Sequence, residues 1–196
     1  MKRAACAVAA LLLWSDAAQA HMVIPGIGGF AGGALHPILV LSHALALIAL
    51  GLVAGVQPPR TRLILIAIFP AAMILAFGFV TLAYATDRAE LAVLALAAIT
   101  GLVLAARPQT PFAIAAILVA LGSGAVLFDS VPAVPSVRET VMSLAGTALV
   151  ATAVIAIAAF ASAALPAFWP RIGVRIAGSW IAASAILVLA LRLAKL

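Results

Sequence analysis

Long apolar runs follow one another along almost the whole chain and are separated by short breaks that carry prolines or charges. A spanning α-helix needs about 20 apolar residues, and six such runs follow position 21. The first contains two histidines and ends near Val56, and the others cover residues 63–84, 90–106, 111–128, 137–164 and 172–193. The pattern predicts an all-α integral membrane bundle of about six transmembrane helices.

The first twenty residues have the organisation of a secretory signal peptide. Two basic residues precede an apolar run to Trp14 and the small-residue cleavage pattern Ala18-Gln19-Ala20. We expect residues 1–20 to be a cleaved signal peptide and residues 21–196 to be a single transmembrane domain; the alternative is an uncleaved seventh helix. Cleavage removes Cys6, the only cysteine, so a metal site in the mature chain would need nitrogen and oxygen ligands.

Composition and charge exclude an ordinary soluble domain. The chain is 67% hydrophobic and 8% charged, and its net charge is +6. The basic residues are scattered between apolar runs without interleaved aromatic residues, so we expect no nucleic-acid partner. The loops predicted inside carry arginine and no acidic residue, namely Arg60, Arg62, Arg107, Arg171 and Arg175. This asymmetry agrees with the positive-inside rule and predicts that the mature N-terminus lies on the extracytoplasmic (periplasmic) side of the membrane.

Every acidic residue of the mature chain falls in a loop predicted outside. These residues are Asp87, Glu90, Asp129 and Glu139. Carboxylates gathered at one face raise the local concentration of cations. Asp129 and Glu90 are therefore candidate metal residues, and the alternative is that they are solvated loop charges.

The three histidines, His21, His36 and His43, all lie near the start of the mature chain. An ionisable side chain at membrane depth is costly and usually faces the bundle interior or a water-filled path. His21 would be the mature N-terminus, where an amine and an imidazole together can chelate a divalent ion. His36 and His43 would lie in the first helix, either as ligands or as packed residues that hydrogen-bond to a neighbouring helix.

The spacing of His36 and His43 limits how they can share an ion. One interpretation starts the helix at Pro37 and ends it at Val56, with His36 at the N-cap; the other starts it near Gly29, with a kink at Pro37. In a straight helix the two histidines share a face but lie roughly 10 Å apart. Either the backbone breaks at Pro37 and brings His36 inward, or the histidines are two successive stations on a path.

The segment His36-Pro37-Ile38-Leu39-Val40-Leu41-Ser42-His43 resembles the first-helix pattern His-Pro-x-x-Gly-x-Asp-His of the HupE/UreJ family of bacterial membrane proteins. Ser42 stands where the family has aspartate, and Val40 where it has glycine. Glu90 is similar to the glutamate that opens the family's third helix. Asp129 corresponds to the glutamate of a later family motif. The resemblance extends over essentially the whole chain.

The resemblance implies secondary transport of a divalent transition-metal ion, nickel or possibly cobalt, across the bacterial inner (cytoplasmic) membrane, and not an enzyme. The candidate metal residues are His36, His43, Ser42, His21, Asp129 and Glu90. We expect no tightly bound cofactor, because the ion is the transported substrate. The expected partners are the lipid bilayer and the metal ion, with a second copy of the chain or a metalloenzyme maturation protein as further candidates. The alternative function is a non-transporting accessory or scaffold subunit of a metalloenzyme or respiratory complex.

Overall fold

A computed structural model describes residues 28–79, 89–106, 109–132, 136–165 and 169–194. Within these ranges the chain is helical and contains no strand, which confirms the all-α prediction. The predicted signal peptide, His21 and Asp87 lie outside the described residues. The described helices are α1 (Gly29–Leu39), α2 (Leu41–Gly55), α3 (Pro59–Phe77), α4 (Ala89–Ala106), α5 (Phe112–Asp129), α6 (Val137–Ala163) and α7 (Trp169–Leu193).

Five of the described helices, α3 to α7, are long and apolar enough to cross a membrane. Helices α1 and α2 pass the same test only as a pair, and their axes are bent by 74°. The multi-pass membrane prediction is therefore confirmed, and the count reaches six when the bent pair is taken as one span. The second run begins earlier than predicted, at Pro59, because a proline suits the first turn of a helix.

Helix α2 lies at the centre of the bundle. It contacts each of the other six described helices, and ten of its fifteen residues are buried. In α3, by contrast, only three of nineteen residues are buried. Leu47, Leu50 and Val53 of α2 are almost completely buried, at 0–1% exposure. Most of α2 therefore lies in the core, and a polar residue on its buried face is removed from lipid.

Small residues let α6 lie close against α1 and α2. A Cβ atom at Gly33 of α1 would overlap the carbonyl oxygen of Ser143, and one at Gly146 of α6 would overlap the carbonyl oxygen of Phe30. Further along α6, a Cβ atom at Gly55 of α2 would overlap the Ser162 hydroxyl. Packing through small residues is typical of helices in membranes, where lipid provides no hydrophobic drive between them.

Arginine side chains donate hydrogen bonds to carbonyl oxygens at the C-terminal ends of α2 and α4. Arg62 Nη2 donates to the carbonyl oxygens of Gly55 at 3.2 Å and Gln57 at 3.0 Å. Arg175 Nε donates to the carbonyl oxygen of Ala105 at 2.9 Å. The last carbonyls of a helix have no intrahelical donor, and a cation is favourable there. Both arginines thus lie at the end of the bundle opposite to the histidines.

The close contact between α4 and α7 can be tested with two glycine substitutions, which we expect to differ in their effect on stability. In Gly101→Ala, the new Cβ would lie 2.7 Å from the Gly178 carbonyl oxygen and 2.8 Å from the Ala182 nitrogen. Because backbone must then shift, we expect a destabilisation of about 1–3 kcal/mol. Gly124→Ala is the control, since its Cβ would meet no atom within 4 Å. Thermal unfolding in detergent should give a lower Tm for the first variant only; equal values would contradict the packing.

Candidate metal site

A one-residue break at Val40 separates α1 from α2. Val40 has an extended backbone, with φ −89° and ψ 114°. Its N–H donates to the His36 carbonyl oxygen at 3.1 Å, and its own carbonyl oxygen accepts from the Ala44 N–H at 3.0 Å. The break therefore leaves the Val40 amide and carbonyl both paired.

The predicted position of the break was wrong. The helix begins at Gly29, so the interpretation that starts it at Pro37 is also wrong, and His36 lies in the last turn of α1 rather than at an N-cap. Pro37 lies inside α1, which continues to Leu39. Val40 stands where the HupE/UreJ pattern has glycine. Its φ is negative, so a β-branched side chain that favours extended backbone is accommodated there without strain.

The bend brings the two histidine side chains into contact. His36 comes from the last turn of α1 and His43 from the first turn of α2. Their ring centroids are 4.7 Å apart and the rings are nearly perpendicular, at 75°. A straight helix would hold them roughly 10 Å apart. The histidines therefore form one site and not two successive stations.

Asp129, the last residue of α5, completes a cluster with the two histidines. Its Oδ2 atom lies 2.8 Å from Nε2 of His43. One ligand atom each from His36, His43 and Asp129 lie within 4.8 Å of one another. The three residues come from three helices, so the cluster forms only when the bundle is packed.

The cluster is buried and incompletely hydrogen-bonded. His43 is 0% exposed and Asp129 is 6% exposed. Neither ring nitrogen of His43 has a hydrogen-bond partner among the described residues, because the 2.8 Å approach to Asp129 lacks hydrogen-bond alignment. Buried polar atoms are nearly always paired, and an exception calls for an explanation such as a bound ion or water.

The other predicted site residues have different surroundings. Ser42 is buried, at 2% exposure, and its hydroxyl bonds neither its own helix nor any other described residue. Glu90 lies outside the cluster, and its Oε1 accepts from Arg192 Nη2 at 3.1 Å. This ion pair also explains how Arg192 is accommodated at the acidic end of the bundle. His21 lies outside the described residues.

The donor set fits a first-row divalent ion. Two imidazoles and one carboxylate are typical ligands of nickel, cobalt and zinc. Bonds of about 2.0–2.2 Å place neighbouring ligand atoms about 3 Å apart, close to the distance of 2.8 Å between His43 and Asp129. The ligand atoms of all three residues lie within 4.8 Å of one another, so the three side chains would have to move closer together to share one ion.

Sequence reasoning missed the contribution of α6. This helix supports α1 through Gly146 and Ser143, and its Thr147 hydroxyl donates to the Gly33 carbonyl oxygen. The proline at position 37 signals that a carbonyl one turn earlier lacks its amide donor. Nothing in the sequence indicates which helix replaces that donor.

The comparisons with known proteins agree with the sequence pattern. A sequence model of the family described as HupE / UreJ protein matches residues 9–188. The matched region includes all three clustered residues. No curated protein and no solved structure gives a significant match to the chain.

The two acidic residues at this end of the bundle provide a matched test of the cluster. Asp129→Asn removes the only carboxylate in the cluster, so we expect at least about a tenfold loss of Ni²⁺ or Co²⁺ affinity, since about 1.4 kcal/mol of attraction corresponds to tenfold. Glu90→Gln is the control and should keep the wild-type affinity. Isothermal titration calorimetry of the detergent-purified protein measures both. Equal losses would show that the cluster is not the binding site.

Proposed function

Because the chain belongs to the HupE/UreJ family, we propose that it is a secondary permease for a divalent transition-metal ion, nickel or cobalt, in the bacterial inner membrane. The family is linked to nickel and cobalt transport or to accessory roles. The observation that carries the proposal is the buried cluster of His36, His43 and Asp129.

The ligand types in the cluster favour nickel and cobalt over the abundant cellular dications. Magnesium and calcium prefer oxygen ligands, and magnesium keeps most of its water. Two imidazole nitrogens are poor ligands for both. A site with two nitrogens and one carboxylate oxygen therefore selects nickel or cobalt over magnesium and calcium through the chemical type of its ligand atoms.

The charge of the cluster suits transient binding. Asp129 supplies one negative charge, and Ser42 brings a neutral hydroxyl where the family pattern has a carboxylate. A bound dication would keep a net charge of about +1 in a buried site, which limits how tightly it is held. A transport site must bind strongly enough to load and weakly enough to release.

The position of the cluster supports alternating access. It lies at the N-terminal end of α2, and Arg62 and Arg175 lie at the opposite end of the bundle. Between them, Leu47 and Leu50 are fully buried in the core. The ion would enter from the acidic, periplasmic end and would reach the cytoplasm only after the helices around α2 move. A broken helix at the binding site is a recurrent feature of secondary transporters.

An accessory role is the second candidate, and Ser42 is the observation that favours it. With the aspartate of the family pattern absent, the cluster has a single carboxylate for a doubly charged ion. A subunit that senses or stabilises a metalloenzyme partner needs no ion flux. This role predicts stable co-purification with that partner.

Uptake into proteoliposomes separates the two functions. The wild-type protein should admit Ni²⁺ to an entrapped indicator dye and should not admit Mg²⁺. His36→Ala and His43→Ala should reduce the Ni²⁺ rate to that of empty liposomes, because each removes one ligand of the cluster. Ser179→Ala is the control, since this exposed serine bonds only the Ile176 carbonyl of its own helix.

Two outcomes would overturn the permease proposal. Unchanged Ni²⁺ uptake in both histidine variants would remove the cluster from the path. No uptake by the wild-type protein, together with co-purification of a metalloenzyme subunit, would establish the accessory role.

A further inference from the structure

Pro37 leaves one carbonyl of α1 without its intrahelical donor. In an α-helix the N–H of each residue bonds the carbonyl four residues earlier, and proline has no N–H. The carbonyl left by Pro37 is therefore that of Gly33. Thr147 Oγ1 of α6 donates to this carbonyl oxygen at 2.9 Å. A side chain from another helix thus replaces the missing amide.

The replacement matters because burial keeps bulk water away from this carbonyl. Thr147 is 0% exposed and Gly33 is buried. An unpaired carbonyl in a lipid environment costs several kcal/mol, so helices that contain proline rely on neighbouring hydroxyls. Without such a donor, α1 would tend to kink or open at Pro37.

The hydroxyl can reach the carbonyl because the two helices touch through glycine. A Cβ atom at Gly33 would overlap the Ser143 carbonyl oxygen, one turn before Thr147. Gly146, the residue before Thr147, lies equally close to the backbone of Phe30. The Thr147 bond therefore belongs to a close contact that leaves α1 little freedom to shift.

The last turn of α1 carries His36, directly before Pro37. Any opening of the helix at Pro37 would move the His36 ring relative to His43, which is held in the central helix. We infer that Thr147 is a positioning residue of the histidine cluster: its hydroxyl replaces the amide that Pro37 lacks and holds His36 against His43. Two measurements test this inference. The metal-binding measurement rests on the proposed function, whereas the contact between the His36 and His43 rings is measured without metal and does not.

Three substitutions in the full-length protein test this role. Thr147→Val keeps the side-chain shape and removes the donor, and Thr147→Ser keeps the donor. Thr152→Val is the matched control on the same helix, because Thr152 Oγ1 bonds only the Ala148 carbonyl of its own helix, at 2.7 Å. The proteins are reconstituted in phosphatidylethanolamine–phosphatidylglycerol liposomes without added metal.

The first readout is the contact between the two rings. Histidine-selective ¹³C and ¹⁵N labelling gives a simple solid-state NMR spectrum, because the chain has three histidines. The cross-peak between the rings of His36 and His43 should be lost in Thr147→Val. It should remain in Thr147→Ser and Thr152→Val. An unchanged cross-peak in Thr147→Val would overturn the inference.

The second readout is Co²⁺ binding, followed through the visible absorption of the ion. Thr147→Val should lower the affinity by about 10- to 100-fold, as is usual when a residue that orients a metal ligand is lost. Thr147→Ser should restore it. If the wild-type protein binds no Co²⁺ or Ni²⁺, the proposed metal function fails, and the ring contact still decides the role of Thr147.

Pro37→Ala separates positioning from general stability. This substitution returns an amide donor for the Gly33 carbonyl, so Thr147→Val should then leave the ring cross-peak in place. If Thr147→Val alone does not fold, recovery of a folded protein in the double variant supports the inference. The same loss of folding or of ring contact in both backgrounds would show that Thr147 serves only packing, and would overturn it.

Discussion

Unpaired backbone amides and carbonyls are costly inside a bilayer, and Val40 keeps both of its own paired at the sharp turn between the first two helices. At the 74° bend, the amide of Val40 closes α1 and its carbonyl opens α2. One residue is enough for the turn. The histidine cluster depends on it, because only a bend of this kind allows ring contact between residues seven positions apart.

Helix α6 packs closely against both helices of the bend. Glycines at the contacts allow backbone to meet backbone, and Thr147 supplies the donor that Pro37 removes. Helix α2 is in turn surrounded by all the other described helices. His43 is therefore placed by the central helix, and His36 by a helix that packs closely against α6. A loss of order in α1 would consequently alter the site before it altered the core.

The charged and histidine side chains described above lie at the two ends of the bundle, and the packing between them is mostly apolar. The cluster and the Glu90–Arg192 ion pair lie at one end, and Arg62 and Arg175 lie at the other. For the permease proposed above, this division would provide a favourable entrance for the ion at the acidic end and a closed route beyond the cluster. In that mechanism, loading the cluster and crossing the core would be separate events, and the second would require helix movement.

The sequence alone determined the helical membrane architecture, because long apolar runs have no other stable form in lipid, and it marked His36, His43 and Asp129 as candidates. Only the tertiary structure decided that these three residues meet and that Glu90 pairs with Arg192 instead. The tertiary structure was also needed to locate the break between α1 and α2. A proline removes one helical bond, but whether the helix stops there depends on a donor from elsewhere in the bundle. The helices are nearly uniform in apolar composition, so the sequence of one helix does not indicate which other helix it packs against. Contacts between distant segments are therefore known only from the tertiary structure.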